Sequence, residues 1–243
     1  MRTETLLNDF ANRSFRDTAD QDYISARMSY RAGLMEQFHW QGLQALEKYL
    51  KAILLYNRIP ATDVRHDLSR ALNYAKKLPF KLDLSESSDD LIAHLDKFGR
   101  FRYLEASYYI RGPKLLQLDK TVWEIRRFCR VINYETTLKD GTTKAMLPFE
   151  LEKIERSKNA PPHKFRIFGG NLEKILDKRD HPARAPLIWQ NAFFGSTTRK
   201  TVRMAIPFEA KNSPLALHPE ILGEVRKYVY LSKEVVRAYS EQR

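Results

Sequence analysis

A chain of 243 residues with 43% hydrophobic and 30% charged residues can bury a sizeable core, which excludes wholesale disorder. Its single cysteine, Cys129, excludes an internal disulfide framework and a cysteine-based zinc site, and the strongest apolar stretch, at Ile53, Leu54 and Leu55, is far too short to span a bilayer. The formal charge of +12 is uneven, with 22 Lys and Arg against 18 Asp and Glu in residues 1–135 and 20 against 12 in residues 136–243. Such a surplus favours polyanions, RNA or DNA above all, through release of condensed cations, the plainer reading being that it only keeps the chain in solution. The first residues carry Glu4 and Asp9 and no apolar signal core, so the expected location is the cytoplasm.

Ile24, Met28, Leu34, Met35 and Phe38 have helical spacing and predict a first helix over residues 20–37. After His39, the residues Leu43, Leu46, Leu50 and Ile53 step by three and four, while Gln44, Glu47, Lys48 and Lys51 fall on the opposite side. That segment is an amphipathic helix with one buried and one charged face. Arg58-Ile59-Pro60 stops it, because the residue before a proline is pushed out of the helical region. Leu68, Ala71, Leu72, Ala75 and Leu78 predict a shorter helix ending at Pro79. Ser85 and Ser88, followed by Asp89 and Asp90, read as a helix start, with hydroxyls capping free amides and acids at the positive end of the dipole. Leu91, Ile92, Leu95 and Phe98 form its apolar face up to Gly99. Leu115, Leu118, Val122, Ile125, Cys129 and Ile132 then predict the helix that closes a first bundle.

From residue 135 the texture changes. Asp140-Gly141 between threonines is the strongest hairpin signal in the chain. A short helix is predicted over residues 148–156, a loop over 159–163, a strand over 164–168 and a helix over 171–178. The apolar block at 185–195 has no assignable element, a strand is predicted over 200–206, and one long helix over 219–239. The fold class is mainly α. The predicted domains are an antiparallel up-and-down helical bundle at residues 1–135 and a basic, partly β extension at 136–243, whose C-terminal helix packs back on the bundle.

Three segments in order resemble one known family. The string from Gln44 and Ala45 through Glu47, Lys48, Leu50 and Lys51 to Ala52 is similar to the second helix of HEPN domains. His66-Asp67-Leu68 resembles the His-x-Leu element that follows it. Phe101-Arg102-Tyr103-Leu104 resembles the Arg-Tyr-Pro segment before the closing helix, with Leu104 in place of proline. The resemblance spans roughly residues 20–135 and implies a helical bundle that often dimerises. Family members include RNases, toxin–antitoxin components and non-catalytic nucleotide-binding partners. Catalytic members carry an Arg, four to six residues, then a His on the late helix, for metal-free RNA cleavage. Residues 99–135 of this chain contain no histidine. Arg156 and His163 have the spacing but straddle Pro161-Pro162, so they cannot share a helical face.

The expected ligand is RNA or a nucleotide. Arg100, Arg102 and Tyr103 would grip phosphate and base, Lys48 and Lys51 would supply positive potential, and Glu47 lies beside them. Against this stands a solvated helix face with an ordinary Glu47–Lys51 ion pair. Tyr108, Tyr109 and Arg111 extend the basic–aromatic cluster, or else pack a loop against the bundle. A second reading is a metal-independent RNase with a displaced site, using His66 or His39 as proton carrier beside Arg102. A third is a non-catalytic protein-interaction module. His39, His94, His181 and His218 are scattered singly, so neither metal nor cofactor is expected. Arg179, Arg184, Arg199, Lys200 and Arg203 surround Trp189, Phe193 and Phe194, as a partner surface or as solvated charges around core rings. A homodimer, a partner protein and no membrane complete the expectation.

Overall fold

The computed structural model describes residues 3–101, 104–158, 160, 169–195, 201–203 and 208–240. The chain opens as one helical rod: α1 (Thr3–Phe10), a π-helical stretch (Ala11–Arg16) and α2 (Asp17–Arg31) follow without a break. The rod starts and ends earlier than the apolar spacing predicts. Gly33 turns the chain with φ of +73°, a conformation that costs glycine no Cβ clash, and Leu34 lies exposed in that turn. The central helix α3 (Met35–Tyr56) runs back along the rod. Its contacts reverse in order, Ser29 with Gln41, Lys48 with Asp22 and Tyr56 with Asn12, so the two are antiparallel. The expected face of Leu43, Leu46, Leu50 and Ile53 is fully buried.

α4 (Leu68–Ala75) begins at Asp67, whose carboxylate accepts the Arg70 amide at 2.7 Å. α5 (Glu86–Phe98) begins at Ser85 as predicted. The serine hydroxyls do something else, however: those of Ser85 and Ser88 donate to the Glu124 carboxylate at 3.2 and 2.7 Å. Gly99 closes α5 where no side chain fits. A Cβ there would lie 2.7 Å from the Leu95 carbonyl oxygen and 2.9 Å from both the His39 oxygen and the Leu43 Cβ. Gly99→Ala is therefore expected to destabilise the fold by about 1–3 kcal/mol, read as a lower urea midpoint at unchanged slope.

β1 (Tyr108–Arg111) is a strand that helical patterning did not predict. α6 (Lys114–Arg126) ends before its apolar stripe does, and Cys129 and Ile132 complete the buried face from the irregular segment that follows. β2 (Glu135–Thr137) and β3 (Thr143–Ala145) form the hairpin expected from Asp140-Gly141, with Thr137 opposite Thr143. α7 (Leu147–Arg156), α8 (Asn171–Asp177) and α9 (Arg184–Ile188) follow. The strand predicted at 164–168 and nearly all of the loop at 159–163 lie outside the described residues. Of the strand predicted over 200–206, residues 201–203 join no element and the rest lie outside the described residues. The strand observed is β4 (Phe208–Lys211), antiparallel to β1 with Ile110 opposite Glu209.

The predicted long C-terminal helix is broken. α10 (Pro214–Leu217) and a 3-10 turn (Pro219–Ile221) precede α11 (Leu222–Tyr228) and α12 (Lys233–Ser240). Val229, within the Tyr228-Val229-Tyr230 run, is extended, as β-branched and aromatic residues favour, and the Ser232 hydroxyl accepts the Val235 amide at 3.3 Å to restart the helix.

The core of the bundle continues into the second half through Ile154, Leu172, Ile175, Leu176, Leu187 and Phe194. A separate small cluster joins Leu215, Leu222, Val235 and Tyr239, with Phe101 against it. Between α2 and α6 the core holds two ion pairs. Arg126 donates to Asp20 at 2.8 Å and Arg27 donates to Asp119, all four side chains being 1% exposed or less. Tyr49 and Tyr23 donate to the two carboxylates at 2.7 Å. The second half seals both pairs. The Asn171 and Leu172 amides donate to Asp20, so that this remote carboxylate caps α8, and Arg27 donates to the Pro186 and Trp189 carbonyls.

Candidate functional site

The charged face of α3 meets the start of α4 at Glu47, and there the predicted residues Glu47, Lys51 and His66 come together, while Lys48 turns to α2. Glu47 is nearly buried, its side chain 4% exposed, yet it is charged. Burial alone would raise its carboxyl, but hydrogen bonds from Lys51 at 2.5 Å and from His66 at 2.8 Å outweigh that and hold it below the ordinary value. A charged carboxylate on Nδ1 fixes the proton there and leaves Nε2 as the second nitrogen of the ring. His66 sits in the left-handed region with φ of +53°, a strained conformation for a residue with a Cβ, and its side chain is half-exposed. The Trp40 ring stands edge-on to the imidazole with centroids 5.2 Å apart, and the Gln44 side-chain amide lies 2.9 Å from Nδ1, where a protonated Nδ1 requires the amide oxygen.

The neighbouring cations are engaged with acids. Lys48 donates to Asp22 at 2.5 Å. Arg100, across Asp67 from His66, holds Asp96 at 2.8 Å and reaches Glu234 of α12 at 3.7 Å and Asp67 at 3.8 Å. Arg102 and Tyr103 lie outside the described residues. Gly99, just before them, packs on α3 at His39 and Leu43. Tyr108 and Tyr109 belong to β1, with Tyr108 buried and Tyr109 exposed.

His39 and His94 are not single. The structure brings their Nε2 atoms to 3.0 Å, both rings buried among Phe38, Phe98 and Tyr108. Residues 55 positions apart give no spacing signal, so sequence reasoning could not pair them. Burial holds both neutral, His39 pushed down to about 4 and His94 to about 3, the second also by His39 itself and by Lys114. Neither faces the α3–α4 edge. Arg156 pairs with Glu152 along α7, and His163 lies outside the described residues. Among the described residues no group of three or more His, Cys, Asp or Glu side chains is placed to hold a metal ion.

The Trp189, Phe193 and Phe194 block packs into the core, with Phe194 buried and Arg31 over the Trp189 ring at 5.1 Å. Arg184 reaches back to the Leu176 carbonyl oxygen at 3.2 Å, Arg179 and Arg203 are exposed, and Arg199 and Lys200 lie outside the described residues.

The architecture is thus an antiparallel helical bundle with a strained, carboxylate-held histidine on its charged edge. Residues 13–132 match the family model of the HEPN domain, a family associated with nucleotides and RNA. No curated protein and no solved structure matches the chain. Among the described residues no helix is long and apolar enough to cross a membrane.

Proposed function

We propose that this protein binds RNA or nucleotides at the edge where α3 meets α4, as a homodimer in a toxin–antitoxin, defence or stress-response setting. One observation carries the reading: His66, half-exposed and strained, is held in place by the nearly buried Glu47 with Lys51 and Lys48 alongside. The strain is stored where a ligand would be met, and the formal charge of +12 draws polyanions toward the surface. Lys48→Glu with Lys51→Glu is expected to weaken binding of a labelled single-stranded RNA by about tenfold or more at low salt, with a shallower salt dependence. Unchanged affinity and slope would move the site elsewhere.

The same geometry favours a second reading, a metal-independent RNase. A carboxylate on Nδ1 leaves Nε2 free to accept a proton from a ribose 2′-hydroxyl. Under that reading RNA is cleaved in chelator, and His66→Ala lowers the rate by about 10²–10⁴-fold. RNA that is bound and recovered intact supports the binder.

A further inference from the structure

We propose that a small pocket floored by Arg127 is a binding site for a phosphate group. It is independent of the α3–α4 edge. The pocket, about 220 Å³, lies between the segment after α4, the end of α6 and α7, with Phe80, Lys81, Arg127 and Lys158 among its walls together with two acids, Asp83 and Glu155.

Arg127 is 3% exposed. Its Nε donates to the Trp123 carbonyl oxygen at 3.0 Å and its Nη1 to that of Ile154 at 3.4 Å. A guanidinium has five N–H donors, so these two leave most of the fork unused. The other two fully buried arginines, Arg27 and Arg126, each hold a carboxylate. Arg127 makes no ion pair with any described carboxylate. The acids nearby are Glu124, Glu155 and Asp83, and they do not offset burial, which pushes the guanidinium below its ordinary value. Glu155 is taken by Lys158 at 2.6 Å and Glu124 by Ser88 at 2.7 Å. A buried cation without an anion is costly, and an incoming anion removes that cost.

The chemistry of the walls selects the anion. Lys81 and Lys158 line the pocket and are exposed, Lys158 being engaged by Glu155 and Lys81 making no ion pair with a described carboxylate. Phe80 and Phe128, stacked with centroids 5.4 Å apart and planes 8° from parallel, give one apolar wall. One arginine fork and the Lys81 ammonium suit a phosphate group, which the fork grips through two oxygens.

The test is melting and calorimetric titration of the full chain with inorganic phosphate against chloride. Millimolar phosphate is expected to raise the melting temperature of the parent protein and to leave that of Arg127→Met unmoved. Lys81→Glu, at an exposed position that folding does not need, is expected to weaken phosphate binding by about tenfold. If Arg127→Met fails to fold, Lys81→Glu decides alone. Phosphate affinity equal in parent and Lys81→Glu, or a parent protein blind to phosphate, overturns the proposal and leaves Arg127 as a cap on the ends of α6 and α7. A preference for 5′-phosphorylated over 5′-hydroxyl RNA identifies a nucleic acid end as the source. Equal response to orthophosphate and a mononucleotide identifies free phosphate.

Discussion

Asp20→Ala is expected to lower the unfolding free energy by about 3–5 kcal/mol, a drop of roughly 10 °C in melting temperature for a chain of this size. The carboxylate accepts from Arg126, from the Tyr49 hydroxyl and from the Asn171 and Leu172 amides; the hydroxyl and both amides lose that partner at once, and Arg126 keeps only Glu173 at 3.3 Å and the Gly169 carbonyl oxygen at 2.6 Å. Arg126 would be left inside the core with its better-placed anion gone and only the longer Glu173 contact in its place. Arg126→Met is expected to cost a similar amount, because the anion is then stranded instead. The double variant should cost clearly less than the two single changes together, since each removes the charge that makes the other harmful. Urea unfolding of the four proteins provides the cycle. Additive losses, or an Asp20→Ala protein within about 1 kcal/mol of the parent, would show that the pair carries no such weight.

Acid is expected to destabilise the fold well before its carboxylates titrate. His39 and His94 are neutral in the folded chain at about 4 and about 3, against 6.5 for a free imidazole. The unfolded chain therefore binds more protons below 6.5, and stability must rise with pH. The contribution is complete above that value and is lost as pH falls through 6.5 toward 4. It reaches on the order of 3 kcal/mol for one ring. Protonation also has nowhere to place its charge. One ring must donate and the other accept across 3.0 Å, Lys114 repels both rings, Lys97 repels His94, and only Glu36 favours a charged His39. His94→Phe, in a cage already lined by rings, is expected to remove a large part of the slope. A denaturant midpoint that stays flat from neutral pH to about 5 in the parent would contradict the assignment.

Both effects come from residues that sequence patterning treats as solvated or solitary. Leu43 to Ile53 on α3, the Asp140-Gly141 hairpin and the start of α5 were legible because apolar period and turn chemistry act locally. The HEPN resemblance was legible for the same reason, being carried by short strings. Asp20, Arg27, Asp119 and Arg126 look like ordinary surface charges. Their one signal is an Asp followed seven residues later by an Arg, on the apolar side of two helices, and its meaning appears only when those helices lie side by side. Glu47, Lys48 and Lys51 were grouped from their helix positions, but the contact of His66 with Glu47 and the acids that occupy the cations, Asp22 for Lys48 and Asp96 for Arg100, depend on packing. Arg127 stood beside Arg126 in sequence with nothing to distinguish a paired guanidinium from an unpaired one. The C-terminal break at Val229 escaped prediction because Ile221, Val225, Tyr228, Val235 and Tyr239 keep a helical spacing straight across it.

The crossed pairs between α2 and α6 also act as a key. On each helix the acid precedes the base, so head-to-tail neighbours meet opposite signs, whereas helices laid in the same direction would set aspartate on aspartate and arginine on arginine. Sliding α6 by two turns brings like charges together at one end and leaves the others alone in apolar surroundings. Among the ways two greasy helices can lie against each other, burying these four charges therefore favours the antiparallel register observed.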